Sequence, residues 1–592
     1  MANECEKITE ANVNRISKVL FNQIKKVKSQ HVFNKNCSIK NKEDQTLIEK
    51  EDILNRWQEY GKSLFETDEE IKDALPCPEQ HHQEPKPLLE EIDSAIRCLK
   101  CGKSPGLDNI PSELLKNRGD EGTKALHYLC TRIWETCKWP DDWKLQEFVM
   151  LHKSGDPKNC NNYRTIALIS HASKILLIVI LNRLKNKVER EISDCQAGYR
   201  SGRGTIDMLF VLQILIEKVR NTKEEAFITF IDYSKAFDSV QHEHLFQTML
   251  KMGFPEHLVS LISNLYTNQN ATIRWNGEHS GQFHINKGVR QGCILSPHLF
   301  SIYTEQVMRE AEIDDMGITI GGRNLTNLRY ADDTALIADN ITSMKRILNR
   351  VDIAGKNANL KLNAKKTKVM HVNNSNTAKD ITVDNSCLEY VESFKYLGSV
   401  KENNGSCSKD VRIRIGMAKQ KLVQLNNIWK DRGIPITLKL AILKCLVWPV
   451  VLYGCEAWTL KQDDYNRINA AEMWFYRRLL RVSWKEKRTN DSILEELGVT
   501  RQLLKEVQKR RLRYVGHALR NTKTDLMTTV LQGKFAGKRR RGKPVTTYIS
   551  NIVKSSRHSL HSMSQLSRDR DDWRAVVMSA GDPIVEHGDG YK

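Results

Sequence analysis

Two adjacent carboxylates are the first chemically suggestive feature of this 592-residue chain, in the run Tyr330-Ala331-Asp332-Asp333. β-prone stretches from Leu325 to Arg329 and from Thr334 to Ala338 surround the run, which predicts a tight β-hairpin with both carboxylates at its tip. Carboxylate oxygens are the ligands that hard cations such as Mg²⁺ prefer, and a hairpin tip would hold them rigidly. Alone, the run is more typical of a solvated turn, because Asp caps its own backbone there.

A third carboxylate makes a metal site the better interpretation. The apolar, β-prone run from Ala226 to Ile231 predicts a buried strand that ends at Asp232. If the predicted hairpin packs beside this strand, distant parts of the chain form one carboxylate cluster. Two ions held about 3.5–4 Å apart would activate an attacking hydroxyl and stabilise a leaving pyrophosphate.

Three motifs in order resemble those of one enzyme family. Phe230-Ile-Asp-Tyr-Ser-Lys-Ala-Phe-Asp238, Lys287-Gly-Val-Arg-Gln-Gly-Cys-Ile-Leu-Ser-Pro297 and Tyr330-Ala-Asp-Asp333 are similar to motifs A, B and C of reverse transcriptases. Their wording is that of non-LTR (LINE-type) retrotransposons. The resemblance implies an α+β right-hand polymerase with fingers, a palm with an antiparallel sheet, a helical thumb and a basic helical C-terminal region.

The resemblance also implies an activity. It is RNA-directed DNA polymerisation, in which a primer 3′-hydroxyl attacks a dNTP on an RNA template, with primer or target DNA as the other nucleic acid. Asp232 and Asp332, assisted by Asp333, would be catalytic residues that hold two Mg²⁺ ions, with Mn²⁺ as an alternative. Asp238 is expected to be structural.

Four segments follow from the resemblance and the patterning. We expect a linker-like segment at 1–85, fingers and palm at 86–405, a thumb at 406–497 and a basic nucleic-acid-binding region at 498–592. Full LINE proteins place an endonuclease upstream, and we expect this chain to lack one and not to nick DNA.

Several side chains are candidates for nucleotide binding. Lys153 and Arg164, on two predicted strands joined by a polar loop, would bind the triphosphate, since a triphosphate needs charge-assisted donors; ordinary surface charge is the alternative. Phe237 would exclude a 2′-hydroxyl, or simply be core. Gln291 and Gly292 would lie against the nascent base pair.

Basic residues later in the family's motif order are further candidates. Lys366 or Lys368, in a stretch that resembles motif D, would protonate the leaving pyrophosphate; a solvated lysine cluster is the alternative. Phe394 to Ser399 resembles motif E, the primer grip.

Two basic segments could bind nucleic acid. Arg200 and Arg203, in the Gly-rich segment Gln196 to Asp207, would contact phosphate or template, or be solvated arginines in a connector. The run Lys538-Arg539-Arg540-Arg541 would bind phosphates non-specifically or act as a nuclear-import signal.

Composition is consistent with a polyanionic partner. Lys and Arg number 92 against 72 Asp and Glu, a net charge of +20, which favours nucleic acid. The 14 cysteines form no regular framework and the N-terminus has no signal-peptide layout, so we expect a nuclear or cytoplasmic protein, not a secreted one. The longest apolar run, Ile175 to Leu181, is too short to cross a bilayer. Cys98 and Cys101 are interpreted as a helix end rather than a zinc site.

Two other functions stay open. A catalytically decayed or truncated element copy would at most bind nucleic acid, although the acidic positions are intact. An RNA-dependent RNA polymerase shares the palm, but Phe237 and Ala331 argue against it.

Overall fold

The computed structural model describes residues 38–67, 73–373, 381–520, 525–538 and 545–579. In chain order the helices are α1 (Lys50–Phe65), α2 (Leu89–Cys98), α3 (Ser112–Lys116), α4 (Gly119–Thr136), α5 (Asp141–Lys144), α6 (His171–Glu191), α7 (Thr205–Asn221), α8 (His242–Lys251), α9 (Glu256–Tyr266), α10 (Ser296–Glu310), α11 (Ile341–Asn357), α12 (Ser408–Gln424), α13 (Asn426–Lys430), α14 (Ile436–Ile442), α15 (Trp448–Leu452), α16 (Gln462–Leu480), α17 (Asn490–Leu497), α18 (Leu503–Arg520), α19 (Asp525–Gln532), α20 (Tyr548–Ser556), α21 (Leu560–Leu566) and α22 (Arg570–Ser579).

The strands, also in chain order, are β1 (Ile39–Lys40), β2 (Thr46–Leu47), β3 (Leu145–His152), β4 (Tyr163–Leu168), β5 (Ala226–Ile231), β6 (Gln269–Trp275), β7 (Glu278–His279), β8 (Phe283–Ile285), β9 (Ile318–Ile320), β10 (Arg323–Leu325), β11 (Asn327–Tyr330), β12 (Asp333–Ala338), β13 (Lys368–Val372), β14 (Thr382–Val383), β15 (Ser386–Cys387), β16 (Glu389–Tyr390), β17 (Ser393–Tyr396) and β18 (Ser399–Glu402). None of the described helices is both long and apolar enough to span a membrane.

The central sheet positions the predicted carboxylates. Its strand order is β11-β12-β5-β13-β16, and β5 pairs antiparallel with both β12 and β13. All six residues of β5 are buried, because helices cover both faces of the sheet. Alternate side chains enter two different cores: Phe227 packs in the core that contains α11, whereas Ile228 packs in the core that contains α7.

The fingers contain a second sheet, separate from the central sheet of the palm. β4 and β6 lie on either side of β3, antiparallel and parallel to it, and β7 and β8 pair with β6. Helix α1 packs on this sheet, where the Phe65 ring stacks on Phe148 with centroids 5.2 Å apart. The predicted right-hand α+β fold is confirmed.

The thumb has a core of its own, and the C-terminal residues do not. Residues between Cys407 and Val507 bury one apolar cluster, and the boundary at residue 497 stays a prediction. Described residues between Leu512 and Val577 share a core with α7. There, the Tyr514 hydroxyl donates to Asp207 Oδ1 at 2.7 Å. These C-terminal residues therefore pack with α7 on one face of the central palm sheet.

Candidate active site

The predicted carboxylate hairpin is formed by β11 and β12. Tyr330 pairs with Asp333, which leaves Ala331 and Asp332 as a two-residue turn. Thr334 pairs with Ile231, so Asp232 leaves β5 beside Asp333. The predicted hairpin and its neighbour strand are confirmed. Their register places three carboxylates from two distant segments together at one end of these strands.

The three carboxylates lie close enough together for their charges to raise the pKa values of Asp332 and Asp333. Partial loss of water, followed by the charges of Asp332 and Asp232, raises the pKa of Asp333 to about 6. Loss of water and the Asp232 charge also raise the pKa of Asp332. Lys153 and Arg164 act in the opposite direction on both groups. The two cations predicted to bind a triphosphate therefore lie within electrostatic reach of the carboxylates.

The donor set fits a hard divalent cation. Asp232 Oδ2 is shielded from solvent and accepts no hydrogen bond of regular geometry from the described residues, but it forms an ion pair with Lys366 Nζ at 3.3 Å. An oxygen held in this way, next to two carboxylates that repel each other, is the environment that a cation stabilises.

The loop before β13 holds the backbone of Asp232 in place. Asn363 N donates to Asp232 O at 2.8 Å, and Asp232 N donates to Thr367 Oγ1 at 3.4 Å. The same loop carries Lys366 to the site. Lys368 instead pairs with Glu389 at 2.7 Å, so of the two predicted lysines only Lys366 reaches the carboxylates.

The fingers hairpin carries two cations that have no ligand of their own. Lys153 follows β3, and Arg164 lies on β4 opposite Leu151. Both side chains are exposed, and neither forms a side-chain hydrogen bond or ion pair within the part of the chain that the structure describes. They are available to an anion that enters beside the carboxylates.

The motif B loop is fastened to both the palm and the fingers. Gln291 Nε2 donates to Asp238 Oδ1 at 2.7 Å, and burial raises the pKa of Asp238 to about 6. Gln291 O accepts from Ala167 N at 2.7 Å. Gly292 has a φ of +116°, and a Cβ there would lie 2.7 Å from Ala167 O, so only glycine fits without displacing the backbone.

Phe237 is half-buried beside this loop. Its ring stacks on Phe300 with centroids 4.2 Å apart, and its carbonyl accepts from Val289 N at 2.8 Å. The ring therefore has a fixed position, which both a steric gate and a core role require.

Arg200 and Arg203 do not lie free for phosphate. Arg200 is buried, and its guanidinium donates to Glu189, Ser193 and Gln196. Arg203 pairs with Asp194 at 2.9 Å. These donors already hold the loop together, and the expectation that Arg200 and Arg203 contact phosphate or template stays a prediction.

The basic C-terminal run is only partly described. Lys538 is exposed, and its carbonyl accepts from Lys223 N at 3.1 Å. Arg539, Arg540 and Arg541 lie outside the described residues.

Three buried polar side chains that support the site were missed from the sequence. Arg329 on β11 pairs with Glu305 of α10 at 2.8 Å. Arg290 in the motif B loop donates to the carbonyls of Trp143 and Leu265, 3.2 Å from each. Gln196 is fully buried below the hairpin. A charged residue at an inward-facing strand position, as at Arg329, was the one available signal.

Comparison with known families agrees with this geometry. Residues 151–400 match the family described as reverse transcriptase (RNA-dependent DNA polymerase). This segment contains the three carboxylates, both fingers cations and the motif B loop.

Individual relatives are named for mobile elements. The chain is 27% identical to a probable RNA-directed DNA polymerase from transposon BS of Drosophila melanogaster, over 73% of this chain and 49% of the relative. It is 24% identical to the RNA-directed DNA polymerase from mobile element jockey of the same species, over 67% and 44%. It is 28% identical to a Pol polyprotein from the type-1 retrotransposable element R2 of Popillia japonica, over 63% and 53%. The chain spans about half the length of these relatives.

Proposed function

We propose that this chain, which carries a reverse transcriptase domain of the non-LTR retrotransposon type, extends a primer 3′-hydroxyl with deoxynucleotides on an RNA template. The observation that carries the proposal is one cluster of three carboxylates within electrostatic reach of two cations, Lys153 and Arg164, whose side chains have no partner among the described residues. Such a cluster can hold a nucleotide's charge and a reacting hydroxyl together, which is most of what phosphoryl transfer requires of a protein.

Asp232, Asp332 and Asp333 are the metal ligands in this proposal. Reverse transcriptases generally depend on divalent metal ions, and we assign two Mg²⁺ ions here, with Mn²⁺ as the alternative. When bound, the ions would activate the primer hydroxyl and stabilise the leaving pyrophosphate. The shielded Oδ2 of Asp232 and the raised pKa of Asp333 support this assignment.

The fingers cations would bind the triphosphate. Arg164 can present two parallel N–H donors to phosphate oxygens, whereas Lys153 supplies a mobile point charge. Both extend from the strand pair that the motif B loop contacts through Ala167, which ties their position to the nucleotide pocket.

Phe237 and Lys366 would complete the nucleotide site. Phe237, whose ring stacks on Phe300, would clash with a 2′-hydroxyl and so favour deoxynucleotides over ribonucleotides. Lys366 is an exposed ammonium beside Asp232, suited to give a proton to the pyrophosphate. Gln291, held in place by its hydrogen bond to Asp238, would contact the nascent base pair. Gly292 would let the backbone approach the base pair closely.

Lys538 and the three arginines that follow it would bind nucleic-acid backbone. This contact depends on charge alone, so it should weaken steeply as salt rises.

Primer extension on an RNA template tests the proposal. Wild-type protein with Mg²⁺ and dNTPs should extend the primer, and Asp332→Ala should not. Asp339→Ala is the matched control, because Asp339 is an exposed carboxylate directly after the other end of β12. Wild-type protein that is folded and binds primer–template but does not extend it would overturn the proposal and favour a decayed copy. Equal use of rNTPs would favour an RNA polymerase.

A further inference from the structure

We infer that Gln196 is a positioning residue that sets the catalytic hairpin, and with it the affinity of the carboxylate site for divalent cations. The inference rests on the proposed function only in one respect: the proposed function gives the reason why the carboxylate site binds divalent cations. Gln196 lies in a loop more than 130 residues before the hairpin, as the separation of 135 residues to Ala331 shows, and its side chain is fully buried.

The amide of Gln196 bonds to the turn from below. Gln196 Oε1 accepts from Ala331 N at 3.0 Å and from Gly198 N at 2.8 Å. Gln196 Nε2 donates to Ala331 O at 3.5 Å. One side chain therefore binds both backbone groups of the residue directly before Asp332.

The turn needs this support because its backbone is strained. Ala331 has a φ of +57°, a conformation that costs free energy for any residue with a Cβ and persists only when its surroundings impose it. Ala331 is also buried, so no water is available to replace a lost hydrogen-bond partner for its amide.

The backbone around Gln196 adds a second constraint. Ala197 N donates to Arg329 O at 2.9 Å, and Arg329 N donates to Cys195 O at 2.8 Å. The segment Cys195–Gly198 thus lies along β11 like an extra short strand. A Cβ at Gly198 would lie 2.5 Å from Ala331 N, so the two backbones are as close as they can be.

The same contacts explain the buried arginine of this loop. Arg200 donates to Gln196 O at 3.2 Å and to Ser193 O at 2.6 Å. Arg200 therefore holds the loop that carries Gln196, and Gln196 in turn holds the hairpin. This chain of contacts ends at Asp332 and Asp333, whose spacing decides how well a cation is held.

Direct cation binding tests the inference without requiring polymerisation. Mn²⁺ binding to the full chain is measured by electron paramagnetic resonance, for wild type and Gln196→Met. Methionine fills the space and removes the acceptor, and loss of a partner that orients metal ligands should lower Mn²⁺ affinity by about ten- to one-hundredfold. In an extension assay, the Mg²⁺ concentration for half-maximal rate should rise in parallel.

Gln213→Met is the matched control for general loss of stability. Gln213 is also a buried glutamine, and its amide donates to Gly405 O at 2.9 Å, away from the hairpin. Urea unfolding is used to compare the two variants. Gln213→Met should lose comparable stability and keep wild-type Mn²⁺ affinity.

Gln196→Glu tests for rescue. Its carboxyl keeps an acceptor oxygen, and burial favours the protonated form, whose hydroxyl can donate to Ala331 O as the amide does. It should recover most of the Mn²⁺ affinity that Gln196→Met loses. Wild-type affinity in Gln196→Met, or the same loss in Gln213→Met, would overturn the inference. If wild type binds Mn²⁺ but does not extend a primer, the proposed function fails and the role of Gln196 is still decided.

Discussion

Arg164 and Arg200 were both predicted to contact phosphate, yet the structure places them in opposite environments. Arg164 is exposed on the fingers hairpin, with no side-chain partner in the described chain, and its charge lowers the pKa of Asp333. Arg200 is buried and donates to three residues of its own region. A ligand-binding cation is one whose donors the fold leaves unused, and sequence alone does not reveal which donors are used.

The largest expected effect is on stability at Arg200. Arg200→Ala leaves the Glu189 carboxylate without its partner and three backbone carbonyls without donors, so the free energy of unfolding should fall by about 3 kcal/mol. Urea denaturation measures it. Arg164→Ala, the exposed counterpart, should change it by less than about 0.5 kcal/mol. Equal losses would remove the distinction between the two arginines.

Nucleotide binding should show the reverse order. Arg164→Ala should raise the KM for dNTP by about tenfold or more, because a charge-assisted bond to phosphate is lost, and its melting temperature should not change. Arg164→Lys should recover part of the effect, since it restores the charge without the paired donors. Steady-state extension kinetics measure both, and an unchanged KM in Arg164→Ala would contradict the assigned role.

The smallest expected effect comes from the carboxylates, whose negative charges repel one another. The folded-state pKa of Asp333, about 6, lies above the ordinary value of 3.8. Its ionisation therefore destabilises the metal-free protein: the cost grows between pH 3.8 and 6 and is complete above pH 6.

Asp333→Asn removes that cost. At pH 7.5 without metal, its melting temperature should exceed that of wild type by about 2 °C, and the gain should vanish near pH 4. Thermal melts at the two pH values measure it. A lower melting temperature at pH 7.5 would show that Asp333 is held by favourable contacts and is not a repelled charge.

Local patterns were enough to predict the parts of the site that lie on regular elements. The all-apolar run of β5 and the residues around the hairpin specify both strands, and the sheet register then brings Asp232 next to Asp333. The strands follow from periodicity, which is a property of consecutive residues, whereas the pairing of the two segments was indicated only by the resemblance of their motifs to those of a known family.

The supporting contacts could not be predicted in this way. Gln196 lies below Ala331 because a Gly-rich loop crosses under the hairpin, and Tyr514 reaches Asp207 from 307 residues away. Neither depends on local periodicity. The glycines around Gln196 do mark close backbone approaches, but they do not say which segment is approached.

The most direct test of the account is whether Asp232 and Asp332, 100 positions apart in the sequence, act as one centre. Single-turnover primer extension on an RNA template is measured for Asp232→Asn, Asp332→Asn and the double variant. Residues that work as a unit have non-additive effects, so each single variant should lose nearly all of the rate and the double variant should be no slower than either. Single variants that keep substantial activity, or losses that multiply in the double variant, would contradict a shared catalytic site.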